Sequence, residues 1–145
     1  MQAHKAVPIV LRQRPNTEVL AFEHPLAGLQ LVKGSIEQGE NAAQAAVREL
    51  REEAGIVSTV LVDLGVWQSG HQDQVWSFHL CETADSLPDR WTHHAADDGG
   101  HVFHFVWHPI DVAPNVAWHP VFQRALAFVS TTVPNSGGHP QPNGM

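Results

Sequence analysis

The sequence predicts a single α/β domain, and three observations carry that expectation. A chain of 145 residues with 43% hydrophobic and 16% charged residues has the size and mix to bury one core rather than two. Short β-branched runs bounded by Pro, Gly and Asn recur on both sides of one strongly helical segment. A second helical stretch lies near the C-terminal end. The remaining composition narrows the partners. Eight Lys+Arg against fifteen Asp+Glu give a formal net charge of -7, which argues against duplex nucleic acid and against an anionic membrane surface. One cysteine, Cys81, cannot form an internal disulfide, and no apolar run reaches the roughly 18 residues that cross a bilayer. The first residues lack the apolar core of a signal peptide, so a cytoplasmic protein is expected.

Residues 5–12 are apolar and β-branched, but Pro8 removes a ladder donor, which predicts a sheet edge or a strand start there. Arg14, Pro15 and Asn16 form a turn signal. A second strand over 18–22 stops at Glu23, His24 and Pro25, since proline disfavours helix in the residue before it. Residues 29–32 suit a short third strand, and 34–39 a loop. Strands are expected over 59–67 and 74–80, joined by the hairpin-like segment 69–73, and again over 101–108. A polar stretch covers 82–100. Pro120 suits the first turn of a last helix reaching about Ser130. These elements make up a domain over 1–133, followed by a tail over 134–145 with too little apolar surface to order itself.

The helix over Ala42–Ala54 is the best-specified element. Asn41 with Gln44 three residues on makes a capping box, the interior is rich in strong helix formers, and Gly55 stands where a left-handed terminator belongs. At about 100° per residue, Ala43, Ala46, Val47, Leu50 and Ala54 share one stripe, which is expected to be buried. Glu49, Glu52 and Glu53 share another face, directed away from it. Their like-charge pairs at i,i+3 and i,i+4 each cost an isolated helix about 0.2–0.5 kcal/mol, and they stand near its negative end. Arg48 can pair with Glu52 but cannot neutralise three carboxylates. A divalent cation can, whereas a lone Glu-Glu pair would ordinarily be read as a solvated face.

The spacing of the whole segment gives that face a meaning. The run GSIEQGENAAQAAVRELREEAGI over 34–56 matches the Nudix box at every position the pattern specifies, with chance odds of roughly 10⁻⁸ to 10⁻⁷ for a chain of this length. The chain therefore resembles the Nudix hydrolases, and the resemblance implies an α/β/α sandwich with a mixed sheet. It also implies hydrolysis of a diphosphate joined to another moiety, with Mg²⁺ or Mn²⁺, by water attack on phosphorus. Mg²⁺ favours a few carboxylates plus substrate phosphates, which is also how so acidic a protein accepts an anionic substrate.

Carried over residue by residue, Glu49 and Glu53 become metal ligands, and Glu52 a further ligand or the base that orients the water. Arg48 becomes the residue orienting the glutamates, with Glu40 as an auxiliary member. Gly34 matches the box's first glycine, where a missing side chain lets a backbone carbonyl approach the metal. Lys33 resembles the Lys-Gly of many Nudix loops; a phosphate contact and a solvated side chain are both open for it. Some members take a general base from a later loop, which makes Asp97 and Asp98 candidates by position.

Eleven histidines without cysteine-histidine zinc spacing read as scattered, partly exposed imidazoles. Core packing is the default for the five tryptophans, although each offers a face that could stack a nucleobase, Trp67 and Trp76 among them. The expected substrate is a nucleoside triphosphate or another nucleoside diphosphate derivative. The alternatives are a silent nucleotide-binding or regulatory domain and a hydrolase of non-nucleotide pyrophosphates. The missing tyrosine argues against the diadenosine polyphosphate hydrolase subgroup, and the absence of proline between Pro25 and Pro88 against the pattern of many ADP-ribose hydrolases. A homodimer, common among members, is compatible with the sequence, but no residue demands one.

Overall fold

The computed structural model describes residues 2–96 and 100–133. Asp97, Asp98 and the tail over 134–145 lie outside the described residues. The chain runs through β1 (Lys5–Gln13), β2 (Thr17–His24), β3 (Gly28–Gln30), β4 (Gly34–Ser35), α1 (Ala42–Ala54), β5 (Ser58–Gln68), β6 (Val75–Thr83), β7 (Trp91–His94), β8 (Val102–Pro109) and α2 (Pro120–Thr132). Among the described residues the strands form one mixed sheet in the order β5-β6-β1-β2-β8-β7, with β4 against β1 and β3 against β2.

Strand β1 lies in the interior of this sheet, which corrects the expectation of an edge at Pro8. It runs parallel to β6 along Lys5–Val10, with Pro8 opposite His79. On its other flank it pairs with β4 through Lys5 and Ala6 and with β2 through Leu11, Arg12 and Gln13. Pro8 falls in the interval between those two pairings, where β1 passes from one partner to the other. A proline is accommodated there because no antiparallel ladder is assigned on that flank.

The two helices cover opposite faces of the sheet, as the alternation of β1 requires. Val7 and Ile9 point to the α2 side, packing with Trp76, Phe78, Phe122, Leu126 and Val129. Val10 points to the α1 side, where Leu50, Ala54, Phe22, Phe103 and Phe105 form a second cluster. Helix α2 starts at Pro120 as expected, with His119 as its N-cap, and runs on to Thr132.

Both expected ends of α1 are present. Gln44 N–H donates to Asn41 Oδ1 at 2.8 Å and Asn41 N–H donates to Gln44 Oε1 at 2.9 Å. Gly55 closes the helix at φ 74°. The buried face, however, is rotated from the expected stripe: Ala45, Ala46, Glu49, Leu50 and Ala54 are buried, while Ala43 and Val47 are only half-buried. Ala45 and Ala46 sit down on Ala6, so small side chains set the contact between helix and sheet. The same rotation turns Glu49 inward instead of away from the core. Strand β7, inside the polar stretch over 82–100, is a further departure from the expectation, as is the two-residue β4 where a loop is expected.

Candidate active site

The centre of the site is Arg48, whose guanidinium carries five N–H donors in a fixed fork. All five are engaged. Nε donates to Glu40 Oε2 at 2.7 Å, and Nη2 to Glu40 Oε1 at 3.0 Å and to the Ser35 carbonyl at 2.8 Å. Nη1 donates to Glu49 Oε2 at 2.8 Å and to Glu52 Oε1 at 3.0 Å. Bidentate charge-assisted bonds of this kind hold geometry as well as energy. The bonds to Glu40 foremost, against the opposing effect of burial, raise the Arg48 pKa, and the same bonds hold the Glu40 carboxyl below the usual carboxylate range. Glu40 in turn accepts Glu37 N–H at 3.0 Å, which ties down the loop entering α1.

Arg48 thus hydrogen-bonds two members of the glutamate face. Glu49 is only 6% exposed, so its carboxylate is a buried charge directed by its neighbours. Gly34 supplies the matching cradle, because a Cβ built on it would overlap the Glu49 carboxyl group. The first glycine of the box is needed for this close approach, not for backbone freedom. Glu52 and Glu53 follow on the last turn of α1, both half-buried. As placed, no three His, Cys, Asp or Glu side chains among the described residues are gathered closely enough to hold a metal ion. Glu49 and Glu52 lean instead on the same Arg48 nitrogen.

The donor set nevertheless suits a hard divalent cation. It consists of carboxylate oxygens on one helical face, one of them buried beside a glycine whose side-chain space it fills. Glu49, Glu52 and Glu53 are the residues that would hold such an ion.

On the α2 side of the sheet Lys33, His71, His119 and Arg124 gather. Lys33 Nζ lies 4.9 Å from the Trp76 ring centroid and 5.7 Å from that of Phe122, a cation held over aromatic faces. His71 and His119 meet edge to face at 6.1 Å, and Arg124 anchors the loop before β6 by donating to the Ser69 carbonyl at 2.7 Å. His119 Nδ1 accepts Val121 N–H at 3.2 Å, which leaves the ring proton on Nε2. Burial first, then the charges of His71, Lys33 and Arg124, lower the His119 pKa. Neither histidine was singled out by the sequence; only the position of His119 before Pro120 offered a signal.

The tryptophans resolve into packing roles. Trp76 is fully buried and offers no open face for a base, and Trp67 is half-buried with its ring edge-on to Trp76 and Phe78. Trp91 stacks on Phe105, Trp107 carries the Arg12 guanidinium at 4.4 Å, and Trp118 is in the core. Among the histidines, His79 is buried, its Nε2 2.9 Å from Ser77 Oγ, whereas His104 is exposed.

Fold, box geometry and sequence converge on one class of protein. The model of the NUDIX domain family matches residues 2–126, and the chain belongs to the Nudix family. No curated protein matches it closely. Solved structures with the same fold include an ADP-ribose pyrophosphatase from Streptococcus suis, 13% identical with a TM-score of 0.61, covering 89% of this chain and 91% of that one. The ORF135 protein of E. coli is 24% identical with a TM-score of 0.63, covering 90% and 91%. An Ap4A hydrolase of C. elegans is 20% identical with a TM-score of 0.59, covering 90% and 98%. Among the described residues no helix is long and apolar enough to cross a membrane.

Proposed function

We propose that this chain, a pyrophosphohydrolase of the Nudix type, cleaves a diphosphate linkage in a nucleoside triphosphate or another nucleoside diphosphate derivative. The observation that carries the reading is the carboxylate face of α1, with Glu49 and Glu52 held by one fully engaged arginine and Glu49 seated against Gly34. Neighbours of the same fold that are an ADP-ribose pyrophosphatase and an Ap4A hydrolase support nucleotide-like substrates of small size. A cytoplasmic location belongs to the same reading.

In this reaction a water oxygen forms a bond to phosphorus, the anhydride P–O bond breaks, and the leaving phosphate keeps the electron pair. Glu49 and Glu53, with Glu52 as a further ligand or as the base, would hold Mg²⁺ or Mn²⁺, which when bound would neutralise phosphate charge and activate the attacking water. Arg48 keeps Glu49 and Glu52 in register and Gly34 keeps room for the Glu49 carboxylate. The water's proton passes to Glu52 or to a base from the later loop, for which Asp97 and Asp98 are the candidates. Lys33, next to Gly34 in the chain, offers positive charge to the part of the substrate next to the scissile linkage.

The test is phosphate or pyrophosphate release from nucleoside triphosphates, nucleotide sugars and dinucleotides with Mg²⁺, with Mn²⁺ and with chelator. Release confined to one substrate class and abolished by chelator is expected. Ligand-induced thermal stabilisation with no release from any member, at saturating metal, would overturn hydrolysis in favour of a binding domain.

A further inference from the structure

The last carbonyls of any α-helix lack intrahelical partners and must find donors elsewhere. At the end of α1 two of those donors are side chains from β7, a strand distant in sequence and outside the box. Trp91 Nε1 donates to the Ala54 carbonyl at 3.2 Å. His93 Nε2 lies 3.1 Å from the Glu52 carbonyl, and since a carbonyl only accepts, that nitrogen carries the proton. The Trp91 ring is itself fixed, stacked on Phe105 at 5.0 Å with an interplanar angle of 8°. The His93 ring fills the space over Gly55, where a Cβ would come within 2.9 Å of Nδ1 and 3.0 Å of Cε1. Gly55 is therefore required twice, once for its left-handed backbone and once to admit the imidazole.

These contacts fall on the turn that carries Glu52 and Glu53. We infer that His93 and Trp91 are positioning residues, which hold the last turn of α1 at the depth and rotation that direct the glutamates to their metal. Two donors at the negative end of the helix also oppose the potential that three carboxylates and the helix dipole build there. The effect is that of an outer shell on a metal centre, where loss of a supporting hydrogen bond weakens affinity without touching a ligand. Arg48 fixes the glutamate face from the side of the entering loop, and β7 fixes it from the other end.

The inference rests on the reading of Glu49, Glu52 and Glu53 as metal ligands, and the test separates the two. Binding of Mn²⁺ alone to metal-stripped protein is followed by electron paramagnetic resonance for wild type, Glu53→Gln, His93→Ala, His93→Gln and Trp91→Phe. Trp91→Phe keeps the stacked ring and removes only the donor, while His93→Gln keeps an N–H donor of similar reach. We expect His93→Ala and Trp91→Phe to weaken Mn²⁺ binding about tenfold, with His93→Gln within about threefold of wild type. Circular dichroism establishes that each variant is folded. If wild type binds no better than Glu53→Gln, the ligand reading fails. If wild type binds and both His93→Ala and Trp91→Phe match it, the positioning role fails. A folded His93→Gln as weak as His93→Ala overturns the hydrogen bond in favour of bulk. Should His93→Ala not fold, Trp91→Phe decides alone.

Discussion

The two faces of the sheet are built from different chemistry. Under α2 the sheet presents Trp76 and Phe78, fully buried, against Phe122, Leu126 and Val129. The ring contacts among Trp67, Trp76, Phe78, Phe122 and Phe128 all lie between 5.0 and 6.3 Å. Under α1 the corresponding positions of β6 are Ser77, His79 and Cys81, all buried, and the helix returns Ala45, Ala46 and a buried Glu49. Burial holds the His79 imidazole below its ordinary pKa and pushes the Cys81 thiol up to about 11, so both stay neutral at physiological pH. The α2 side packs large rings against β6, whereas the α1 side, which keeps Phe22, Phe103 and Phe105 under β2 and β8, presents small and polar groups along β6 so that a helix of carboxylates can lie close to the sheet. Stability and chemistry are thereby assigned to opposite sides of β1.

That contrast predicts where substitutions act. The largest effect on stability is expected from Phe78→Ala, which opens a cavity among the rings of Trp67, Trp76 and Phe128 and should cost about 3–5 kcal/mol in a denaturant titration. Mn²⁺ affinity of the folded fraction should stay unchanged, because Phe78 faces away from α1. A comparable loss of metal affinity would erase the distinction between the faces. Gly34→Ala should do the reverse. Its backbone is not in the left-handed region, so the cost falls on the Glu49 carboxyl that the new methyl displaces. We expect turnover to fall about a hundredfold with a midpoint of unfolding close to wild type; equal turnover would remove Gly34 from the site.

The smallest effect concerns pH. Because the folded pKa of His119 is lowered, the unfolded chain takes up the proton first on acidification. Its share of stability is complete above the ordinary value of about 6.5 and is lost as pH falls below it toward the folded pKa. His119→Asn preserves an N-cap acceptor and removes the titration. The variant should therefore lose less stability than wild type between about pH 7.5 and 5.5, by under about 1 kcal/mol given the partial exposure of the ring. Parallel curves would contradict the lowering of the His119 pKa by burial and its cationic neighbours.

Helix α1 with its two caps is legible because its signals are local. Asn41, Gln44, Gly55, Arg48 and the glutamates lie within one short stretch, and capping and i,i+4 geometry need no tertiary information. The burial of Glu49 was not legible, since periodicity gives a hydrophobic stripe but not its rotation, which here is set by Ala45 and Ala46 meeting Ala6. Strand β7 is four residues of alternating exposure among polar neighbours, too short for a pattern, and its pairing with β8 is a tertiary fact. The partners of His93 and Trp91 were hidden with it. Pro8 misled because an edge is the ordinary place for proline in a sheet, and an interior strand that changes partners is the uncommon exception.

The most direct test of the account is turnover of wild type against Glu53→Gln in saturating Mg²⁺, on the substrate class that the release panel identifies. The substitution keeps the size and one acceptor oxygen and removes one charge from the face of α1. We predict a fall of about a thousandfold with circular dichroism and unfolding midpoint unchanged, as for loss of one preorganised electrostatic group. Undiminished metal-dependent turnover in folded Glu53→Gln would contradict the assignment of the carboxylate face of α1 as the active site.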